Sequence, residues 1–120
     1  MWMELGAVTF DAHDAERLAQ FWAEVWQTSW RAASVLPGAA VIDAGPGHPS
    51  LIFLPVDEPK VAKNRCHPDL HTSDAATAVE RAVAAGATLR SEFFDPGHWV
   101  VLGDPEGNEF CIVDDPTASP

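Results

Sequence analysis

The chain has 120 residues, 47% hydrophobic and 21% charged, with eighteen acidic against seven basic side chains and a net charge of −11. That composition describes one globular domain and excludes a disordered chain, and the acidic field repels nucleic-acid phosphates and anionic lipid surfaces. The longest apolar runs, such as residues 51–54, are far too short for a bilayer span, and no basic segment precedes an apolar one at the N-terminus, so a cytoplasmic protein without nucleic-acid or membrane partners is expected.

Two cysteines, Cys66 and Cys111, are too few for a disulfide framework and read as thiols. Residues 5–12 have extended character and lead into Asp14, a residue type that caps helices by accepting orphan backbone N–H bonds. From 15 to 27 the apolar residues Leu18, Phe21, Trp22, Val25 and Trp26 recur at three- and four-residue spacing, which predicts a helix with that face inward. Three short strands follow, at 30–36, 39–44 and 50–56, separated by Pro37-Gly38 and Gly45-Pro46-Gly47, and they read as an antiparallel meander. Residues 58–64 are polar and form a linker.

The order then repeats. A strand is predicted over 65–72, with Pro68 an awkward member because it has no N–H to donate. Ser73 or Asp74 caps a helix running to Ala85, with Ala75, Ala76, Val79, Ala82 and Val83 inward and Gly86 as its stop. Strands at 88–94, 99–103 and 109–113 complete the second half, broken by Asp95-Pro96-Gly97 and by Asp104-Pro105-Glu106-Gly107-Asn108. The tail from 115 to 120 is expected to fray. A gapless shift of 60 residues aligns the halves, matching Asp14 with Asp74, Gly47 with Gly107 and Ile52 with Ile112. Identities under that shift are few, so the duplication rests on the order of elements.

The doubled βαβββ order, the helix opening Asp14-Ala15-Glu16-Arg17-Leu18-Ala19-Gln20-Phe21-Trp22, the segment Asn64-Arg65-Cys66-His67-Pro68-Asp69-Leu70 and the turn Asp104-Pro105-Glu106-Gly107-Asn108-Glu109-Phe110-Cys111 resemble the glyoxalase-like domains of the vicinal oxygen chelate (VOC) superfamily. The resemblance spans nearly the whole chain, and the Asp-Pro-Glu-Gly-Asn turn is its most specific part. It implies one α+β domain of two βαβββ modules, about 1–57 and 65–114, forming a curved mixed sheet cup around a ligand. It also implies metal-ligand positions at Ala7, Leu51, His67 and Cys111. Two of the four have no donor group, whereas a catalytic divalent ion takes about three protein ligands.

Strand alternation would place His67, Asp69 and His71 on one face, but ligands two apart on a strand stand roughly 6.6 Å from each other and splay around an ion. The commoner use of a histidine at position 67 is a hydrogen-bonded imidazole, and of Cys111 a small buried apolar residue. Trp22 and Trp26 read as core; Trp30 and Trp99 are the better candidates for stacking on a ligand. His13 and His48 read as solvated, His98 as a loop histidine, and Arg65 as a surface ion-pair former or a holder of an anionic group.

The first functional expectation is therefore small-molecule binding without a catalytic metal or other cofactor, through Trp30, His67, Asp69, His71, Trp99 and Cys111. The acidic balance favours a neutral or cationic ligand, and the resemblance implies a homodimer. Resistance proteins of the superfamily, which sequester cationic drugs between paired chains, fit that pattern. The alternatives are a divalent-metal lyase, isomerase or dioxygenase holding its ion through His67 and Cys111, a metal-free acid/base enzyme using His67 with Asp69 or Glu109, or a pure interaction module.

Overall fold

The computed structural model describes residues 2–34 and 36–118. It divides into two compact units, Met1–Pro59 and Lys60–Pro120, each a four-stranded mixed sheet with one helix. The first contains β1 (Ala7–Ala12), α1 (Ala15–Trp26), β2 (Arg31–Ala32), β3 (Ala40–Ile42) and β4 (Ser50–Pro55). The second contains β5 (Asp69–Thr72), α2 (Ala75–Ala85), β6 (Thr88–Phe93), β7 (Trp99–Gly103) and β8 (Glu109–Asp114). The sheet orders are β1-β4-β3-β2 and β5-β8-β7-β6, with the outer pairs β1·β4 and β5·β8 parallel and the rest antiparallel. The expected meander and the βαβββ order are thus both present.

Both helices start where their capping residues predict. The Asp14 carboxylate accepts from the Arg17 amide at 3.1 Å and the Asp74 carboxylate from the Thr77 amide at 3.2 Å, each satisfying a donor that the first turn leaves orphaned. Leu18, Phe21 and Trp22 are fully buried, and Trp22 lies 5.6 Å from Phe10 of β1, so the aromatic face of α1 packs on its sheet. Val25 and Trp26 are only half-buried, and Trp26 meets His48 edge-on at 5.8 Å while His48 itself stays exposed, as expected. On α2 the inward face is narrower than expected. Ala75 and Ala82 are buried, Ala76 is exposed and Val83 is 46% exposed.

Two strands and the C-terminal tail differ from expectation. The strand foreseen over 30–36 is reduced to Arg31–Ala32, and Val35 of that stretch lies outside the described residues. The strand foreseen over 65–72 begins at Asp69, because Pro68 cannot donate to the ladder. The tail does not fray at its start: the Asp115 amide donates to the Thr72 carbonyl at 2.8 Å, its carboxylate pairs with His71 Nδ1 at 2.9 Å, and it accepts from Thr117. Ser119 and Pro120 lie outside the described residues.

The gapless 60-residue shift slips by one at the last strand of each module. In β1 and β4 the pairs Val8↔Leu51 and Phe10↔Phe53 share the face that meets α1. In β5 and β8 the half-buried Leu70 pairs with the buried Ile112 on one face, while Asp69↔Cys111 occupies the opposite face. Leu51 therefore cannot be the counterpart of Cys111. Ile52, paired with Thr9 as Cys111 is with Asp69, takes that place, 59 positions away. The cause is one extra residue in the first module's hairpin: Val41 pairs with Ile52 across 11 positions, Val101 with Cys111 across 10. A single insertion exchanges the two faces of a strand.

Asp104 is the one buried charged residue among those described, at 3% exposure. Its carboxylate accepts from the Glu106 amide, the Asn108 amide and Asn108 Nδ2, all at 2.9–3.0 Å, and so closes the turn from within. Replacing it with alanine strands those donors and is expected to destabilise the fold by about 2 kcal/mol in chemical denaturation. Asp115 gives a pH-dependent counterpart. Hydrogen bonds from Thr117, then His71, lower its pKa from 3.8 to about 2. Its stabilising contribution is complete above pH about 4 and disappears as pH falls through about 2. The difference in urea midpoint between the parent protein and Asp115→Asn should therefore shrink over that interval.

Candidate functional site

The irregular segment ahead of β5 is held to β8 and to the turn before it by contacts from Asn64 and Pro68. Asn64 Oδ1 accepts from the Glu109 amide at 3.1 Å, and Asn64 Nδ2 donates to Asn108 Oδ1 at 3.3 Å. The Pro68 carbonyl accepts from the Cys111 amide at 2.9 Å. His67 lies between those anchors, one residue ahead of Pro68, and is thereby delivered to the third position of β8.

The outcome is a cluster of three donors. One ring nitrogen of His67, one carboxylate oxygen of Asp69 and the Cys111 sulfur all lie within 4.8 Å of one another. Asp69 and Cys111 are register partners on one sheet face. The expected splaying of ligands does not occur, because His67 stands off the end of the strand and is not bound by its pleat. Cys111 is buried, whereas His67 and Asp69 are exposed, so the cluster has a covered sulfur floor and an open side. Burial first, and then the neighbouring Asp69 carboxylate that accepts the thiol's hydrogen bond, raises the Cys111 pKa. Without an ion the thiol is held as S–H.

The other candidates are distributed differently. His71 follows Asp69 along β5 but turns its Nδ1 to Asp115 and is not part of the three-donor cluster. Trp99 is half-buried on β7, opposite Val113, and so shares the face of the Val101↔Cys111 pair. Its ring stacks on Phe93 of β6 with centroids 5.2 Å apart and planes 18° apart, leaving one ring face uncommitted to that stack. Trp30 belongs to the first unit, half-buried just ahead of β2. In that unit the positions corresponding to His67 and Cys111 are Ala7 and Ile52, and neither has a donor group.

Glu109, an expected acid/base partner, and two of the histidines make contacts that the sequence does not announce. Glu109 lies beside the cluster with its side chain 12% exposed, and Lys63 Nζ donates to it at 3.0 Å. That bond, the charges of Lys63 and Arg90, and the Glu109 contact at Asn64 hold its pKa below the ordinary carboxylate value. Neither contact has a sequence signal, since 46 positions separate Lys63 from Glu109. His98 is not a free loop histidine: its Nε2 pairs with Glu92 at 2.6 Å, its Nδ1 lies 3.8 Å from Asp114, and its ring stacks on Phe94. His13 is also engaged, through the Glu58 carbonyl at 3.0 Å.

The raised thiol pKa predicts slow alkylation of Cys111. In a Cys66→Ser background at pH 8, iodoacetamide should modify Cys111 more slowly than free cysteine, and Asp69→Asn should accelerate the reaction roughly three- to tenfold by removing the charge that opposes the thiolate. Mass spectrometry of the modified protein over time measures both rates.

Comparison with known proteins places this geometry in context. A search of curated proteins found no match. Among solved structures, the chain is similar to an enzyme of the glyoxalase/bleomycin resistance protein/dioxygenase family from Burkholderia phytofirmans PsJN, with 23% identity and TM-score 0.72 over 92% of this chain and 97% of that one. It is also similar to the fosfomycin resistance protein FosX from Mesorhizobium loti, with 19% identity and TM-score 0.77 over 96% and 94% of the two chains. A third similar structure is the E126Q mutant of FosX from Listeria monocytogenes complexed with Mn(II) and 1S,2S-dihydroxypropylphosphonic acid, with 14% identity and TM-score 0.71 over 96% and 94%. At these identities the likeness concerns the fold. The profile described as Glyoxalase-like domain matches residues 7–113, and with the doubled βαβββ order and the Asp104–Asn108 turn it follows that the chain belongs to the glyoxalase-like domain family of the VOC superfamily.

Proposed function

We propose that the protein binds a small molecule on the second-unit sheet face that carries His67, Asp69 and Cys111, and that these three side chains hold a divalent ion there. The observation that supports the reading is the convergence of their donor atoms within 4.8 Å. The expectation of a metal-free site rests on the missing donors at Ala7 and Leu51, and Ile52, the structural counterpart of Cys111, has no donor either. Asp69 restores the number to three, which leaves a coordination position for a ligand.

The donor set bears on which ion fits. Tetrahedral ligands at about 2.0–2.3 Å from an ion stand about 3.3–3.8 Å apart, so the cluster needs to close by about an ångström, within the reach of exposed His67 and Asp69 side chains. Imidazole, carboxylate and thiolate together suit zinc, or cobalt as its spectroscopic substitute, better than the oxygen-seeking Mg(II) or Mn(II). When bound, such an ion supplies Lewis acidity toward a ligand oxygen. Cys111 would give up its proton to bind it, and the positive ion reverses the local bias toward the thiol. The Mn(II) and phosphonic acid named for the Listeria FosX mutant support the reading that a fold of this kind admits an ion and a small ligand together.

A second reading rests on Asp69 accepting the Cys111 hydrogen bond. A neutral thiol beside an imidazole forms a hydrogen-bonding floor for a ligand with no ion present. Titration of untagged protein with Co(II) separates the two. The metal reading expects one equivalent to produce a thiolate-to-cobalt charge-transfer band that Cys111→Ser abolishes, with His67→Ala weakening affinity about tenfold or more. A titration without that band removes the ion from the function and leaves the metal-free binder.

A further inference from the structure

We infer that the ligand carries an oxyanion, a carboxylate, phosphonate or phosphate group, and that Arg90 of β6 is the residue that recognises it; this rests on the reading of the Cys111 face as a ligand site. The bulge between Leu89 and Ser91 leaves Arg90 outside the β6·β7 pairing. Its guanidinium lies flat over Gly103 of β7: a Cβ at Gly103 would stand 2.6 Å from an Arg90 Nη, 2.8 Å from Nε and 3.0 Å from Cζ. The missing side chain at Gly103 is thus the space the guanidinium occupies.

Gly103 pairs with Glu109 and Val101 pairs with Cys111, so Gly103 and Cys111 lie on one sheet face, a single rung apart. The arginine head therefore borders the three-donor cluster. Among the described residues it makes no side-chain hydrogen bond or ion pair. Glu109 feels its charge, but the Glu109 carboxylate is held by Lys63 at 3.0 Å. A planar fork of N–H donors that lies over Gly103 and is not consumed by the protein is suited to bidentate capture of an oxyanion.

The charge distribution agrees. The chain is acidic overall, yet Lys60, Lys63, Arg65 and Arg90, four of its seven basic residues, belong to the segment leading to His67 and to β6. The net charge of the whole chain pointed toward neutral or cationic ligands; the Arg90 guanidinium over Gly103 is a local charge that points the other way.

The test follows the arginine Nε–H signals by nitrogen-15 NMR in metal-free protein, with inorganic phosphate and acetate as probes and chloride holding ionic strength constant. Saturable movement of the Arg90 Nε–H and the Gly103 amide is expected. Arg90→Gln should weaken phosphate binding about tenfold or more, and Gly103→Ala, which displaces the guanidinium with its methyl group, should also weaken it. An Arg90 signal that does not move, or an Arg90→Gln variant that binds phosphate as the parent does, overturns the inference. Unchanged binding in Gly103→Ala overturns the part assigned to the glycine gap. The amide spectrum of each variant reports whether it is folded. Because metal is absent here, failure of this test leaves the cobalt result standing, and failure of the cobalt titration does not alter the phosphate result.

Discussion

The hydrogen bond from the Cys111 amide to the Pro68 carbonyl is the contact on which the site depends. Proline gives the chain an acceptor there without a donor, so β5 cannot extend back past Asp69. It also restricts the residue before it to extended conformations. His67 is consequently carried past the end of an edge strand, close to the sheet but free of its alternation. Had the strand continued to residue 65, His67 and Asp69 would have stood on successive rungs of one face, too far apart to serve one ion. The proline that makes a poor strand residue is what lets the two donors converge.

That bond needs a rigid partner, and the turn before β8 provides it. Asp104 collects the Glu106 and Asn108 amides and the Asn108 side chain, while Gly107 takes φ +87, open to glycine at little steric cost. The turn then presents Asn108 and the Glu109 amide to Asn64. The motif that marks the family is therefore more than a hairpin connection. It fixes the strand that bears Cys111 and clamps the segment that bears His67, so a fold signature and a site signature coincide.

Much of the architecture was legible in the sequence because it is encoded locally. The caps at Asp14 and Asp74, the apolar spacing of Leu18, Phe21 and Trp22, and the Pro/Gly turns each act within a few residues. Candidate donors were legible as residue types, and His67, Asp69 and Cys111 were all marked. Their convergence was not, since it depends on where β5 starts and on contacts spanning more than forty positions, such as Glu109 to Asn64. Arg90 over Gly103 was invisible for the same reason: no pattern announces that a glycine on one strand accommodates a side chain from the next.

The two modules also show why an internal repeat transfers fold more faithfully than chemistry. One additional residue between Val41 and Ile52 preserves every strand pairing and every layer, yet it exchanges the faces on which the last strand's side chains appear relative to a gapless alignment. Fold tolerates that change because each face still finds apolar partners; a donor set does not, because a ligand must point at one place. Electrostatics behaves similarly. The many exposed carboxylates act on a ligand through solvent and are screened beyond about 8–10 Å, while a guanidinium at contact distance is not. Residues at the site therefore set which charge is recognised, even where the sum over the chain has the opposite sign.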